Sequence, residues 1–321
     1  MKTILITGAS GFVGTHLIEA LSLSGEYDIY GTVFGQSPAF LDQFVPADHL
    51  SALNLLDAAA VESFVNKVKP DYVVHLAALS SPAKSTGSPL ETLTNNIGAQ
   101  INLCEALIKL ELKPTTLIIG SAEEYGLVDQ NLVSINEKVP LNPGNPYAVS
   151  KIAQDYLGLQ YFNSYGLPII RIRPFNHTGE RHTPTFVLPA FASQVAKIEQ
   201  GQADRLRIEG DLEVTRDFTD VKDMVKAYIL ALTKCQPGEV YNIGSGRPVK
   251  IGDLLDLIVA KSTVPIRQEK DDSKQGASKV KSLVCDYQKF KSATGWEPAI
   301  PLDQTIDRVL NYYRQESKGT S

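Results

Sequence analysis

A short apolar run, Thr3-Ile4-Leu5-Ile6, leads into three glycines spaced by threes, Gly8, Gly11 and Gly14, and the residues from Phe12 onward carry a helical stripe. Few backbones accept that order. Glycine lets a turn tighten and lets main chain approach a ligand closely, while the unpaired N-H groups that open a helix favour an anion in front of them. Gly8-Ala9-Ser10-Gly11-Phe12-Val13-Gly14 therefore reads as a strand-turn-helix cradle for a pyrophosphate, with Ser10, Phe12 and Val13 completing the loop. The spacing is GxxGxxG and not GxGxxG, and a tight turn without a ligand would look the same. Its place at the head of a βαβ series favours a dinucleotide.

Further along, Asp71 to Leu76, Thr116 to Ile119 and Pro168 to Ile172 are nearly continuous apolar runs, as strands covered on both faces must be. Amphipathic stretches separate them. Val13, Leu17, Ile18 and Leu21 share one stripe of a helix that stops at Gly25, and Asn145 with Pro146 caps another that runs to Gly166. This alternation predicts an α/β fold, a doubly wound parallel sheet with helices on both faces. The pattern loosens after Phe175: helical segments span 186–199 and 221–232, and a charged stretch spans 268–281. We expect a dinucleotide-binding domain over 1–175 and a smaller substrate lobe over 176–321, with the strand-like 239–243 returning to the sheet.

A length of 321 residues suits two domains or one large one, and 43% hydrophobic with 21% charged residues is ordinary for a globular chain. No apolar run approaches the roughly 20 residues of a membrane helix. The net charge of -5, with no basic run, argues against a nucleic-acid surface. Cys104, Cys235 and Cys285 form no CxxC pair, so neither a disulfide framework nor a metal site is expected. With no signal-peptide core after Met1, the expected location is cytoplasmic.

Tyr147 and Lys151, four apart on the capped helix, project from one face. An adjacent ammonium stabilises phenolate, which is expected to bring a phenol that titrates near pH 10 towards neutrality and make it a workable acid or base. Ser121 follows an apolar strand, at the carboxyl edge where ligands bind in such sheets, and could hydrogen-bond a carbonyl oxygen as charge develops on it. The Tyr-x-x-x-Lys spacing alone is common on surface helices. Behind a glycine cradle and a strand-end serine it carries weight. Asn54 and Leu55 stand where an adenine contact is expected after a third strand. The second strand ends Thr32-Val33-Phe34-Gly35 with neither a carboxylate nor an arginine to read the adenosine ribose, so NADP and NAD both stay open.

Gly8 to Gly14, His75-Leu76-Ala77-Ala78, Asn95 to Gly98, Ser121 to Gly126 and Tyr147 to Lys151 together resemble the extended short-chain dehydrogenase/reductase family over nearly the whole chain. The resemblance implies a Rossmann-type sheet, an NADP(H) or NAD(H) cofactor along Leu76, Ala77 and Ala78, and a homodimer paired through two helices. By it Tyr147 is the acid/base, Lys151 its activator and a ribose contact, and Ser121 the carbonyl-orienting hydroxyl; His75 supports the loop, and Asn95 serves a proton relay or its helix.

Arg173 to Gly179, Phe186-Val187-Leu188-Pro189 and Thr215 to Asp223 resemble the nucleotide-sugar branch, in particular GDP-6-deoxy-D-mannose reductases and the related GDP-mannose 4,6-dehydratases. In that branch Asn176 and Arg216 would meet the diphosphate, with Val187 beside them; a salt bridge from Arg216 to Asp217 or Asp220 is the plainer alternative. A dehydratase needs a base beside the triad, and Glu123 stands there; Ala122, however, offers no acid for a C6 hydroxyl. Reduction of GDP-4-keto-6-deoxy-D-mannose is therefore the preferred expectation, with a 4,6-dehydratase or 4-epimerase that recycles its cofactor as the alternative. Where relatives carry an Arg-Pro-x-acid segment, this chain has Gly276-Ala277-Ser278-Lys279, so Lys274 or Lys279 would supply the charge there, without the bidentate geometry of arginine.

Overall fold

The structure, a computed structural model, describes residues 1–35, 37–129, 133–271 and 280–318. Its centre is a seven-stranded parallel sheet built from β1 (Lys2–Thr7), β2 (Tyr27–Val33), β3 (Leu50–Ala52), β4 (Tyr72–His75), β5 (Thr115–Ile119), β6 (Ile169–Pro174) and the strand Val240–Ile243. Across the sheet the order is Val240–Ile243, β6, β5, β4, β1, β2, β3. The chain thus builds outward from β1 through β2 and β3, then crosses to the other side of β1 with β4. A crevice opens at the carboxyl ends of β1 and β4, where such sheets bind ligands.

Side-chain alternation explains why both faces need covering. Ile4 and Ile6 of β1 enter one core, with Leu17, Ile18 and Leu21 of α1 (Phe12–Ser24). Leu5, between them, enters the opposite core with Val61 and Phe64 of α2 (Ala58–Val68) and Leu103 of a later helix. Period-two projection sends neighbours to opposite faces, so a strand in the middle of the sheet reads as unbroken hydrophobicity. Each such side chain, fully withdrawn from water, contributes about 1.5–3 kcal/mol.

Between β4 and β5 run α3 (Pro82–Gly87) and α4 (Pro89–Lys109), and between β5 and β6 runs α5 (Pro146–Tyr165). The Asn145 side chain accepts from the Ala148 amide, and Gly166 closes α5 at φ 66°, so both ends of that helix lie where cap chemistry puts them. Then come α6 (Val187–Glu199), α7 (Val221–Lys234), α8 (Ile251–Ala260), α9 (Gln288–Thr294) and α10 (Leu302–Lys318). α7 packs on the sheet through Met224 and Tyr228. α6, α8 and α10 enclose a separate core that holds Leu188, Phe191, Leu254, Ile306 and Leu310. Short strands complete that lobe, with Thr215–Asp217 lying between Pro248–Lys250 and Ser282–Leu283. The strand Val240–Ile243 leaves the lobe and pairs with β6, Tyr241 opposite Ile172.

Among the described residues no helix is long and apolar enough to cross a membrane.

Candidate functional site

The glycine cradle sits at the head of the crevice. Gly8 adopts φ 71°, which an L side chain rarely does, and a Cβ there would lie 2.9 Å from the Ala77 nitrogen. At Gly14 a Cβ would come 2.5 Å from the Gly8 carbonyl oxygen and 2.7 Å from that of Ala9. The glycines therefore bring the turn, the start of α1 and the Leu76-Ala77-Ala78 loop into contact. No side chain caps α1 at Gly11, and no acidic residue stands in its first turn. The amides of Phe12 and Val13 open the helix, with its positive pole, towards a ligand anion. The cradle fits a pyrophosphate. Behind it, Thr7 Oγ1 binds both His75 Nδ1, at 2.8 Å, and the Ala77 amide, at 3.2 Å. His75 is buried, its pKa pushed down to about 3 by burial and by Lys151, which makes it a neutral strut. The Phe12 ring stacks on His182 at 4.0 Å and meets His16 edge-on at 5.5 Å.

Ser121, Tyr147 and Lys151 converge at the end of β5. Ser121 caps the short turn Ala122–Glu124, its hydroxyl accepting from the Glu123 amide at 3.1 Å, and it is near enough to the Tyr147 phenol to favour its anion. Lys151 Nζ lies 5.9 Å from the centre of the Tyr147 ring and donates to the Ile119 carbonyl at 2.8 Å. Tyr147 and Lys151 are both buried.

Here the electrostatics differ from the sequence expectation. Burial pushes the Tyr147 phenol up, the nearby Ser121 hydroxyl pulls it down, and Glu123 and Glu124 push it up again; burial wins. The same burial lowers Lys151 from 10.5 to about 8, partly opposed by Glu124. The lysine shift is the one that moves towards neutrality. Desolvation in the closed pocket outweighs the attraction between ammonium and phenolate.

Beneath the triad lies a charge network that sequence reasoning missed. Glu124 is wholly buried; its carboxylate accepts from the Ser121 amide at 2.7 Å and pairs with Arg173 Nε at 3.0 Å. Asp155 accepts from Arg173 Nε at 2.7 Å and from Arg171 at 2.5 Å. Arg173 also donates to the Tyr125 hydroxyl at 3.1 Å, and Tyr125 donates to Asn242 at 2.7 Å. Two signals were readable: Ser121-x-x-Glu124 has capping-box spacing, and Tyr147, Lys151 and Asp155 recur at helical intervals of four. Asn96 and Ser85 are two more unforeseen supports. Asn96 donates to Ser150 on α5, and Ser85 accepts from the Tyr147 amide. Asn95 donates to Asn96.

A cleft of about 400 Å³ opens beside the triad, lined by Glu123, Leu127, Pro143, Asn145, Arg216 and Val280 among others. Asn145 donates to Glu123 Oε2 at 3.0 Å, which turns that carboxylate into the cleft wall. Arg216 donates to the carbonyls of Thr215 and Val280. The salt-bridge alternative finds its carboxylates engaged elsewhere. Asp217 accepts from Ser245, Gly246 and Cys285, and Asp220 from Thr305, Arg308 and the Lys222 amide. Asn176 is exposed after β6, and Val187 is half-buried at the start of α6. Asn54 is exposed after β3, where its side chain accepts from the Leu56 amide, and Leu55 next to it is half-buried. Lys274 and Lys279 lie outside the described residues. Among the described residues no cluster of three His, Cys, Asp or Glu could hold a metal ion.

Residues 5–309 match the profile of the family described as GDP-mannose 4,6 dehydratase. GDP-6-deoxy-D-mannose reductase of Pseudomonas aeruginosa is 32% identical over 311 residues, covering 97% of this chain and 96% of that protein. dTDP-glucose 4,6-dehydratase of Haemophilus influenzae is 28% identical over 345 residues and covers both chains completely. Among solved structures, RMD from Pseudomonas aeruginosa complexed with NADPH superposes with a TM-score of 0.86 at 30% identity, covering 98% of this chain and 100% of that one. The UDP-glucose 4-epimerase of Thermotoga maritima with UDP-glucose superposes with a TM-score of 0.85 at 26% identity, covering 98% and 99%.

Proposed function

The chain belongs to the GDP-mannose 4,6-dehydratase family, in the nucleotide-sugar branch of the extended short-chain dehydrogenases/reductases, and from that premise we propose that it reduces the C4 ketone of GDP-4-keto-6-deoxy-D-mannose to GDP-6-deoxy-D-mannose, or GDP-D-rhamnose. The observation that carries the reading is the convergence of Ser121, Tyr147 and Lys151 at the end of β5, with Lys151 Nζ 5.9 Å from the centre of the Tyr147 ring, beside a cleft that holds Glu123 and Arg216.

When bound, NADPH or NADH would supply the hydride, two electrons and one hydrogen, that C4 takes up. The Phe12 and Val13 amides would hold its diphosphate, Leu76, Ala77 and Ala78 would line its path, and Lys151 would reach its ribose. β2 ends without a carboxylate to repel a 2′-phosphate, so NADPH is the favoured donor.

Tyr147 gives its phenolic proton to the C4 oxygen. A buried phenol resists becoming an anion, so the Lys151 ammonium must offset the charge left behind, and Ser121 steadies the substrate oxygen as it gains the proton. Arg216 and Asn176 hold the substrate diphosphate; a guanidinium suits this because its planar fork pairs two oxygens at once. Val187 borders the same groups, and Lys279 adds charge at the nucleotide end.

The test supplies the ketosugar and follows loss of NADPH or NADH absorbance. Turnover with either supports the reductase; no oxidation of either rejects it. The second reading is a 4,6-dehydratase or 4-epimerase, favoured by Glu123 in the cleft wall, where a base for C5 would stand. Conversion of GDP-mannose with no net cofactor oxidation, by protein purified with oxidised cofactor, would establish it. For the assembly, we infer a homodimer that pairs across α4 and α5.

A further inference from the structure

Glu124 is a charged residue with no part in the mechanism above, yet it is wholly buried directly under the groups that carry it. Its two carboxyl oxygens face different partners. Oε1 holds the Ser121 amide at 2.7 Å, and Oε2 meets Arg173 Nε at 3.0 Å. An apolar residue would fill this space without the cost of burying a carboxyl, so retaining one calls for a use. The space is also tight: a Cβ on neighbouring Gly120 would collide with Glu124 Oε1.

We propose that Glu124 is a positioning residue for the Ser121, Tyr147 and Lys151 site: its carboxyl fixes the backbone of the serine and, as it ionises, opposes loss of the proton from the Lys151 ammonium. The inference rests on the reading of Tyr147 and Lys151 as the acid/base pair.

The charged and titratable surroundings come from four elements. β6 brings Arg171 and Arg173; α5 brings Tyr147, Lys151 and Asp155; the turn after β5 brings Glu123 and Tyr125; β4 brings His75. Arg171 and Arg173 are both committed to Asp155, so Glu124 shares one guanidinium with a second carboxylate. Burial and Asp155 hold its pKa above the usual carboxylate range, more than Arg173 lowers it. Glu124 Oε1 on the Ser121 amide and Lys151 Nζ on the Ile119 carbonyl are held to one three-residue stretch of main chain, so an ionised Glu124 favours the protonated lysine.

The test reads Lys151 directly and needs no substrate. Protein carrying 13Cε-lysine is titrated by NMR, the Lys151 resonance being identified by its absence in Lys151→Met. Glu124→Gln keeps the size of the side chain and removes the charge; Glu124→Val serves as a second variant if the amide perturbs folding. The expected result is a Lys151 midpoint lower than in wild type by roughly half a pH unit or more in either variant, with the alkaline limb of the kcat profile moved down with it and KM little changed. A titration that superimposes on wild type, in variants whose circular dichroism is native, overturns the inference. Tyr147→Phe separates the two failures. If that variant keeps full turnover, the reading of the site fails; if it is inactive while Glu124→Gln leaves Lys151 unshifted, only the role of Glu124 fails.

Discussion

Lys151 donates from Nζ to the carbonyl oxygen of Ile119 at 2.8 Å, which ties the ammonium on α5 to the strand that ends at Ser121. One hydrogen bond thus registers the two elements that bear the proposed acid/base pair and serine. The same burial lowers the lysine from 10.5 to about 8. Between those values the unfolded chain binds a proton that the folded chain does not, so the lysine's cost is full below about pH 8 and fades as pH rises towards 10.5. At pH 7 that cost is roughly 3 kcal/mol, against about 1 kcal/mol returned by the hydrogen bond. Lys151→Met should therefore raise the urea midpoint at pH 7 while turnover falls by about 10²-fold or more. A variant both less stable and fully active would contradict this.

The cradle leaves no room for a side chain at Gly14, where a Cβ would stand 2.5 Å from the Gly8 oxygen and 2.7 Å from the Ala9 oxygen. Both obstacles are backbone, so neither can swing aside. Gly14→Ala should destabilise the protein by about 1–3 kcal/mol and weaken NADPH binding, read by fluorescence titration, by roughly tenfold or more. Gly25→Ala gives the control: it meets no neighbour there, its φ of 68° is strained, and it lies at the far end of α1. It should cost stability and leave the NADPH Kd near wild type.

Buried histidines predict acid lability. Burial holds His16 down to about 4 and His182 and His75 down to about 3. Each stays neutral when folded and takes up a proton on unfolding, so its contribution is present above the ordinary histidine value near 6.5 and is lost as pH falls towards 3. Urea midpoints should fall below about pH 6, by up to ~1.4 kcal/mol per pH unit for each histidine, less the opposite contribution of Glu124, whose raised pKa makes folding take up a proton there. His75→Asn should make that slope shallower. A midpoint unchanged between pH 7 and 5 would rule the explanation out.

On α5, Val149 is 43% exposed and Tyr156, two turns on, is 56% exposed. Ile152, Leu159 and Phe162 are half-buried, and Phe162 packs against Gly238. Light scattering should find a dimer for wild type and a monomer for Tyr156→Arg. A monomeric wild type would remove the pairing.

The fold was legible because its signals are local. Gly25 and Gly166, both at positive φ, end helices where the glycines stand, and Asn145 with Pro146 starts one. Continuous hydrophobicity marked β1, β4, β5 and β6 because each is covered on both faces. The site was legible as far as spacing reaches, which is Tyr147 to Lys151 along one helix. What stayed hidden depends on contacts between distant stretches. Arg173 stood in the sequence only as the first residue of a family motif, and nothing in its spacing showed that it is committed to Asp155 and Glu124. The direction of the Tyr147 shift was also hidden, because it is set by how deeply the ring is buried, and no spacing reports that.

The most direct test of the account compares Tyr147→Phe with wild type on GDP-4-keto-6-deoxy-D-mannose and NADPH, alongside the NADPH Kd of each. The substitution removes one hydroxyl and leaves the packing of the ring. The account predicts kcat reduced by about 10²-fold or more with the Kd changed less than about threefold. A variant that turns over within a few-fold of wild type would mean the proton comes from another group, and the site would have to be assigned again.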